Sequence, residues 1–476
     1  MLSAPGDSTA ISALPSFWRS YDLGTRWRLH FDPQNQVERS VSEDGSLEIL
    51  ILGYAIHSTN GKNGTELARH LLQAVESSNE NFQSELDECA GRYLLVRRKD
   101  TELHIQQDAV GLRSVYYSAA WTHRALVASH DRIIARALGS ASSPFGRPEY
   151  RKNNYLNASP GNMTLFNGVK RLTPNTELST SAMQVKRVYP RFPAGTKNVE
   201  EAYHLLEKTV DTQLRWWNSH ESGFENILMS LSGGFDSRSS LALIRPHLDD
   251  FTFFTYRREK LNKYNNHDAR DTAELIEKFS LNHQYLDLDE VEITAETKRA
   301  IITNTHFSNS AKVAQAYLDF MPEKALHIRS NAYEIVRAHY RKNGFHATHL
   351  HARAMQSIAY SGRNKDPFAE IAFEQWRIEA EWPRVEELGY DPLDFFYWEY
   401  RMGAWLAPVL HESDMSSETA ILINCRNLLD TMLSVPWQDR KMNSVFEQGI
   451  CGRWPELAEV PINGYWLGES ENGAYH

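Results

Sequence analysis

Ile227-Leu228-Met229-Ser230-Leu231-Ser232-Gly233-Gly234-Phe235-Asp236-Ser237-Arg238-Ser239-Ser240-Leu241-Ala242-Leu243-Ile244 is the stretch on which the fold turns. Ile227, Leu228, Met229 and Leu231 lead into Ser232-Gly233-Gly234-Phe235-Asp236-Ser237. Apolar spacing at Leu241 and Ile244 follows until Arg245-Pro246 stops it. The pattern predicts a buried strand, a tight glycine turn and a helix N-terminus. Such a turn offers backbone N–H groups and the positive end of a helix to an anion, with no Cβ atoms in the way. Ser232 and Ser237 add hydroxyl donors, and Asp236 is a carboxylate suited to the Mg²⁺ that accompanies a nucleotide.

Working outward, 476 residues predict two domains rather than one. A hydrophobic share of 41% and a charged share of 24% describe a soluble globular protein. Fifty-one Lys and Arg against 61 Asp and Glu give a net charge of −10 with no polybasic run, which disfavours nucleic acid as the main partner. Cys89, Cys425 and Cys451 are far apart and form no CxxC, so they read as free thiols in a reducing compartment. The first residues lack a basic n-region and an apolar h-region, and no stretch approaches the roughly 20 apolar residues that span a bilayer. The expected location is cytoplasmic, with no membrane partner.

The sequence Ser-Gly-Gly-x-Asp-Ser resembles the signature of the PP-loop ATP pyrophosphatases, against a plain alternative of a serine-glycine turn in an ordinary α/β unit. The resemblance implies ATP and Mg²⁺ as cofactors and cleavage of ATP between its α and β phosphates. It assigns nucleotide contacts to Leu231, Ser232, Gly233, Gly234, Asp236 and Ser237, with Asp236 also the metal ligand. A second strand over Phe251–Tyr256 and a third over Gln284–Leu288 imply βαβ units with ligand outside the strands' carboxyl ends. The resemblance implies that adenine lies near Thr255 and Tyr256, at the end of the second strand. Asp271, at a helix start, is similar in position to a family Asp or is an ordinary first-turn acid.

The amino-terminal half predicts strands at Leu47–Ile56, Arg92–Arg97 and Leu103–Gln107, a turn at Lys99-Asp100, and an amphipathic helix over Glu66–Val75. Three pieces here resemble the amidotransferase half of the asparagine synthetase family: Ala90–Leu95, Asp108–Tyr117 and Phe166–Asn175. Glutamine-hydrolysing relatives expose an N-terminal cysteine as nucleophile. This chain has Leu2 there and no cysteine before Cys89, leaving Ser3, Ser8 or Thr9 as substitutes only if unmasked. The half-domain is therefore expected as scaffold, and the amine must be supplied as such.

In the second half, Glu200–Leu214 predicts an amphipathic helix. The family's Gly-x-Gly-x-Asp-Glu loop falls on Leu326–Ile335, where only Glu334 keeps its identity and the two family carboxylates become Ser330 and Tyr333. Arg329 is the candidate to neutralise pyrophosphate or a substrate carboxylate, and Asn331 to replace a metal contact. Glu334 is either the general base for an incoming ammonium or a helix-terminal acid paired with Arg337 or Arg329. The family's phosphate-facing lysine falls near Lys441 and Arg440. An alternative register puts Asn443 there and leaves those two as a solvated basic pair. His339, His346, His349 and His351 read as a polar surface loop rather than a metal site. Asp391-Pro392 starts a helix whose stripe of Phe395, Trp398, Met402, Trp405 and Leu406 is expected in a core.

The implied fold class is α/β. A degenerate, Ntn-hydrolase-like layered domain over 1–195 precedes a PP-loop synthetase domain over 200–476, with a parallel sheet and extra helices. The implied function is an ATP-dependent, AMP-forming carbon–nitrogen ligase that adenylates a carboxylate, releases pyrophosphate and transfers the acyl group to an amine. Its partners would be a small-molecule or peptide carboxylate and an amine, in one substrate or two, and a homodimer stays open as the assembly. The alternatives are a nucleotide-binding partner protein without ligase turnover, and a PP-loop enzyme that modifies a nucleobase.

Overall fold

A computed structural model describes residues 1–147, 158–257, 266–304, 311–361 and 366–468. It divides into two compact units. One holds Met1–His57, Lys62–Ala194 and His346–Pro408, and the other holds Ser58–Gly61, Gly195–Phe345 and Val409–His476.

The first unit carries β1 (Leu2–Ser3), β2 (Arg19–Leu23), β3 (Trp27–Phe31), β4 (Val37–Val41), β5 (Leu47–His57), β6 (Cys89–Lys99), β7 (Glu102–Gln107), β8 (Tyr116–Ser118), β9 (Val127–Ala128), β10 (Val169–Arg171), β11 (Thr176–Ser179) and β12 (Gln184–Arg187). They form two antiparallel sheets, in the orders β10-β8-β9-β1-β3-β2 and β12-β11-β7-β6-β5-β4. The alternation along β5 explains its long apolar run. Leu50 and Leu52 meet Leu2, Leu29 and Tyr117 of the other sheet. Ile49, Ile51 and Ala55 point the opposite way, against α1 (Gly64–Ser77) and α2 (Asn79–Asp87), through Leu67, Leu71, Phe82 and Leu86. The far face of the first sheet is covered by Ile134 and Ala135 of the helix Asp131–Leu138. The result is the helix–sheet–sheet–helix layering expected of an Ntn-hydrolase-like domain. Each fully buried Leu or Ile in these layers contributes roughly 1.5–3 kcal/mol.

Residues 346–408 fall inside the span 200–476 that the sequence assigns to the second domain, yet they pack within the first unit. Trp376 Nε1 donates to Thr173 Oγ1 at 2.8 Å, and Trp398 Nε1 donates to the Ala109 carbonyl at 2.8 Å. Arg187 donates through Nη1 and Nη2 to the two carboxylate oxygens of Glu399, at 2.6 and 2.9 Å. Asn175 Nδ2 adds a third bond to Glu399, at 3.2 Å. An aromatic stripe and a buried glutamate both require a partner surface, and the amino-terminal strands supply it. Asp391 accepts from Leu393 N–H with Pro392 in the first turn. Over Phe396–Leu406 the winding loosens to a π-helix, and Phe395, Trp398, Met402 and Leu406 are fully buried.

The second unit is organised on a five-stranded parallel sheet. Its strands are β13 (Asn226–Ser230), β14 (Phe251–Arg257), β15 (His283–Asp287), β16 (Ala325–Ile328) and β17 (Glu418–Ala420), in the order β15-β14-β13-β16-β17. Helix α3 (Val199–Trp217) begins with a capping box, Asn198 accepting from Glu201 N–H while Glu201 accepts from Asn198 N–H. It runs past Leu214 because Trp216 and Trp217 are both buried. The glycine turn leads into α4 (Phe235–Leu243). Among the described residues, no helix is long and apolar enough to cross a membrane.

The Arg187–Glu399 side chains are 2% and 0% exposed. Removing one partner strands the other charge, so Glu399→Ala is expected to cost about 3–5 kcal/mol. Denaturant unfolding checks this, and a midpoint equal to that of the unmodified chain would contradict it.

Candidate functional site

The order β15-β14-β13-β16-β17 makes the chain leave β13 in one direction along the sheet and later resume on its other side at β16. The crevice at such a reversal, at the strands' carboxyl ends, is where open α/β sheets take ligands. Leu231–Gly234 follows β13 there, and Arg329–Ala332 follows β16.

The glycine turn is held largely from inside. Ser232 N–H donates to Ser237 Oγ at 3.2 Å, the two hydroxyls of Ser232 and Ser237 are 2.9 Å apart, and Gly234 N–H donates to Ser232 Oγ at 3.3 Å. Gly233 N–H donates to Asp268 Oδ1 at 2.8 Å, so this amide holds the turn down instead of pointing at an open cradle. A Cβ on Gly233 would lie 2.7 Å from the Asp268 carbonyl, whereas one on Gly234 would meet nothing nearer than Ser232 Oγ at 3.4 Å. Leu231 is buried, its N–H donating to the Phe254 carbonyl and its carbonyl accepting from Thr255 Oγ1. The feature left for an anion is the first turn of α4, whose N-terminus has no side-chain cap.

Asp236 sits in that first turn and is paired with Arg337 Nη1. Arg337 also donates from Nε to Asn443 Oδ1 at 2.8 Å and lies over the Phe235 ring at 4.7 Å. Lys342 Nζ donates to the same Asn443 oxygen at 2.5 Å. Burial pushes the Asp236 carboxyl upward, against the pull of Arg337 and Lys342. Burial, aided by Arg337, brings the Lys342 ammonium down to about 7, against Asp236, Glu447 and Glu334. Asn443 is buried and in a left-handed conformation, and its side-chain oxygen meets Arg337 and Lys342 beside Asp236. Lys441 ends the short helix Trp437–Lys441 and is half-buried.

Ser330 and Tyr333 are joined by a neutral chain: Ser330 Oγ donates to Ser240 Oγ at 2.8 Å, and Ser240 Oγ lies 2.7 Å from the Tyr333 hydroxyl. Glu334 is half-buried beside them in the turn Tyr333–Ile335 and acts electrostatically on Lys342. Arg337, one of its two expected partners, gives its guanidinium to Asp236 instead. Arg329 donates to Asn331 Oδ1 and Ser413 Oγ, both at 3.2 Å, so Asn331 holds the arginine. Tyr256 is 43% exposed at the end of β14, and Tyr285 of β15 is similarly open. Thr255 lies 2.9 Å from His283 Nε2, and burial brings that imidazole down to about 4.

Asp271 is fully buried and accepts from Gly464 N–H at 2.7 Å and from Arg270. Asp268, Arg337, Lys342 and the 457–464 segment are the elements that sequence reasoning did not place at this site. Arg238 binds that last segment through the carbonyls of Leu457, Val460 and Pro461. Of the histidine-rich stretch, His346, His349 and His351 are exposed, as expected for a surface loop, and His351 caps the helix Ala352–Ala359, whereas His339 is half-buried and starts the helix His339–Lys342.

For Mg²⁺ the donor set is a single carboxylate, Asp236, with neutral oxygens nearby. It fits an ion held by one carboxylate and substrate phosphates, provided that Arg337 shifts to the phosphates.

No family model and no curated protein matches the chain. Among solved structures it is similar to the allosteric regulatory enzyme of purine biosynthesis, at 13% identity over 41% of this chain and 42% of that one, with a TM-score of 0.20. It is also similar to NMN synthetase from Francisella tularensis, at 16% identity over 46% and 94%, TM-score 0.20. A third is the glutamine-dependent NAD+ synthetase from Acinetobacter baumannii in complex with adenosine diphosphate, at 11% identity over 53% of each chain, TM-score 0.21. The chain spans about two fifths of the first of these and about half of the third.

Gly233→Ala is expected to cost about 1–3 kcal/mol by forcing the turn off Asp268, whereas Gly234→Ala stays within about 1 kcal/mol. Thermal unfolding of the two variants side by side checks the difference, and equal losses would contradict it. Lys342 supplies a pH test. An unfolded lysine titrates near 10.4, so between about pH 7 and pH 10 the unfolded chain binds the extra proton and stability rises with pH. Lys342→Met should flatten that rise in denaturant titrations, and an unchanged slope would refute the buried ammonium.

Proposed function

We propose that the chain is an ATP-dependent ligase that joins a carboxylate to an amine without hydrolysing glutamine itself. The observation that carries this reading is the uncapped start of α4, opened by the Ser232–Ser237 turn at the reversal of a parallel sheet, with Arg337 and Lys342 beside it. An uncapped helix start with two nearby cations is an electrostatic match for a polyphosphate.

In this reading ATP is the substrate activated first. The first-turn amides of α4 and the hydroxyls of Ser232 and Ser237 receive its phosphates, and Arg337 passes from Asp236 to phosphate oxygen. Asp236, so released, is the carboxylate for Mg²⁺. The ion, when bound, neutralises phosphate charge and orients the reacting groups. Tyr256, open at the end of β14, offers its ring to the adenine. A carboxylate oxygen attacks the α-phosphorus, the bond to the bridging oxygen breaks, and pyrophosphate leaves. The amine nitrogen then attacks the acyl carbon, AMP leaves with the bonding pair, and Glu334 takes the proton. Arg329 and Lys441 are the cations assigned to pyrophosphate and to the acyl-transfer step. The amine donor belongs to the same substrate or to a second one of small-molecule or peptide class, and the chain works in the cytoplasm.

The runner-up is a nucleotide-binding partner protein without turnover. It is favoured by one observation, the replacement of two loop carboxylates by the hydroxyl chain Ser330–Ser240–Tyr333. Pyrophosphate release from ATP across a panel of small-molecule and peptide carboxylates separates the two. The ligase reading expects substrate-dependent release that falls on the order of 100-fold in Asp236→Ala. Nucleotide binding with no substrate-dependent release in any mixture would leave the partner reading.

A further inference from the structure

Away from the glycine turn, three side chains of the first unit converge where no sequence pattern drew attention. His57 is the last residue of β5, His70 lies in the middle of α1, and Glu85 lies in the last turn of α2. His57 Nε2 is 3.0 Å and His70 Nε2 is 2.6 Å from the same oxygen, Glu85 Oε2. The donor atoms of the three all lie within 4.8 Å of one another, and among the described residues this is the group of His, Cys, Asp and Glu so arranged. We propose that His57, His70 and Glu85 form a binding site for a first-row divalent cation of the zinc type.

The geometry suits an ion. The two imidazoles stand nearly perpendicular, at 79°, with ring centroids 5.6 Å apart. Two imidazoles bound through Nε2 to one tetrahedral zinc would have centroids about 5 Å apart, given Zn–N distances near 2.0–2.1 Å. The carboxylate must withdraw by a fraction of an ångström to admit the ion, and it can, because the Glu85 side chain is 28% exposed. Two imidazoles with one carboxylate favour zinc over magnesium or calcium, which take oxygen, and three protein ligands leave a fourth position for water.

The site is also built in. His57 is 3% exposed, its peptide N–H donates to the Lys62 carbonyl at 2.9 Å, and it stands opposite Cys89 in the β5–β6 ladder. His70 and Glu85 are partly open and give the ion a way in. One ion would tie a strand end to two helices, a cross-link of the kind that stabilises a layered domain. A competing cation is present, since Lys62 Nζ lies 3.0 Å from His70 Nδ1. Zinc on Nε2 leaves the imidazole proton on Nδ1, so Lys62 must swing out to solvent as the ion binds.

The test uses the full chain, stripped with chelator and titrated with Zn²⁺ by calorimetry and with Co²⁺ by visible absorption. The expected result is about one ion per chain and the absorption band of four-coordinate Co²⁺ with nitrogen and oxygen ligands. Glu85→Gln and His70→Gln should each lose that ion and the band with their circular dichroism unchanged. Lys62→Met should bind Zn²⁺ more tightly, and His349→Gln should bind as the unmodified chain does. Absence of zinc uptake by the unmodified chain would overturn the site, as would Glu85→Gln and His70→Gln variants that bind like it. Should both of those variants unfold, the Co²⁺ spectrum of the unmodified chain and the response of Lys62→Met decide the matter alone.

Discussion

The contact between Gly233 and Asp268 is the constraint on which the second unit's site depends. The backbone of the turn comes so near the helix Asn266–Lys278 that a methyl group would strike the Asp268 carbonyl. In return Asp268 holds the Gly233 N–H. Once the turn is down, other chain segments find their partners. The Gly233 carbonyl accepts from Asn463 N–H, the neighbouring Asp271 accepts from Gly464 N–H, and Arg238 takes three carbonyls of the same late segment. A single close approach thus joins a strand end, a helix start and a stretch more than two hundred residues later.

Above that turn the electrostatics differ from what the motif implies. A carboxylate expected to face a metal is held by Arg337, and Asn443 fixes both Arg337 and Lys342. Burial, with Arg337 beside it, lowers the Lys342 ammonium to about 7, although Asp236, Glu447 and Glu334 all pull the other way. The hydroxyl chain Ser330–Ser240–Tyr333 makes the adjoining wall neutral.

In the first unit the sequence was legible where a single periodicity governed. Strands β5 and β7 were expected nearly to their ends and β6 over its middle, because β5 and β6 alternate between the facing sheet and the helices and β7 between the facing sheet and polar residues. Strands β1 to β4 and β8 to β12 were not expected. Two to five residues carry too little period to read, and the pairing of β1 and β10 is decided by partners far along the chain. The same reason hid the place of residues 346–408. Their aromatic stripe announced burial, but only Arg187, Thr173 and Ala109 reveal against what.

What the sequence determined by itself was local: a strand, a glycine turn and a helix start at Ile227–Ile244, and the alternating strands. Each follows from the conformational limits or chemistry of adjacent residues. Tertiary structure alone decided which side chains share a space. Arg337, Lys342 and Asn443 come to Asp236 from more than a hundred residues away, and His57, His70 and Glu85 meet from a strand and two helices. Contacts of that kind depend on how sheets and helices stack. No spacing along the chain encodes that stacking, so the turn was visible from the start and its charge was not.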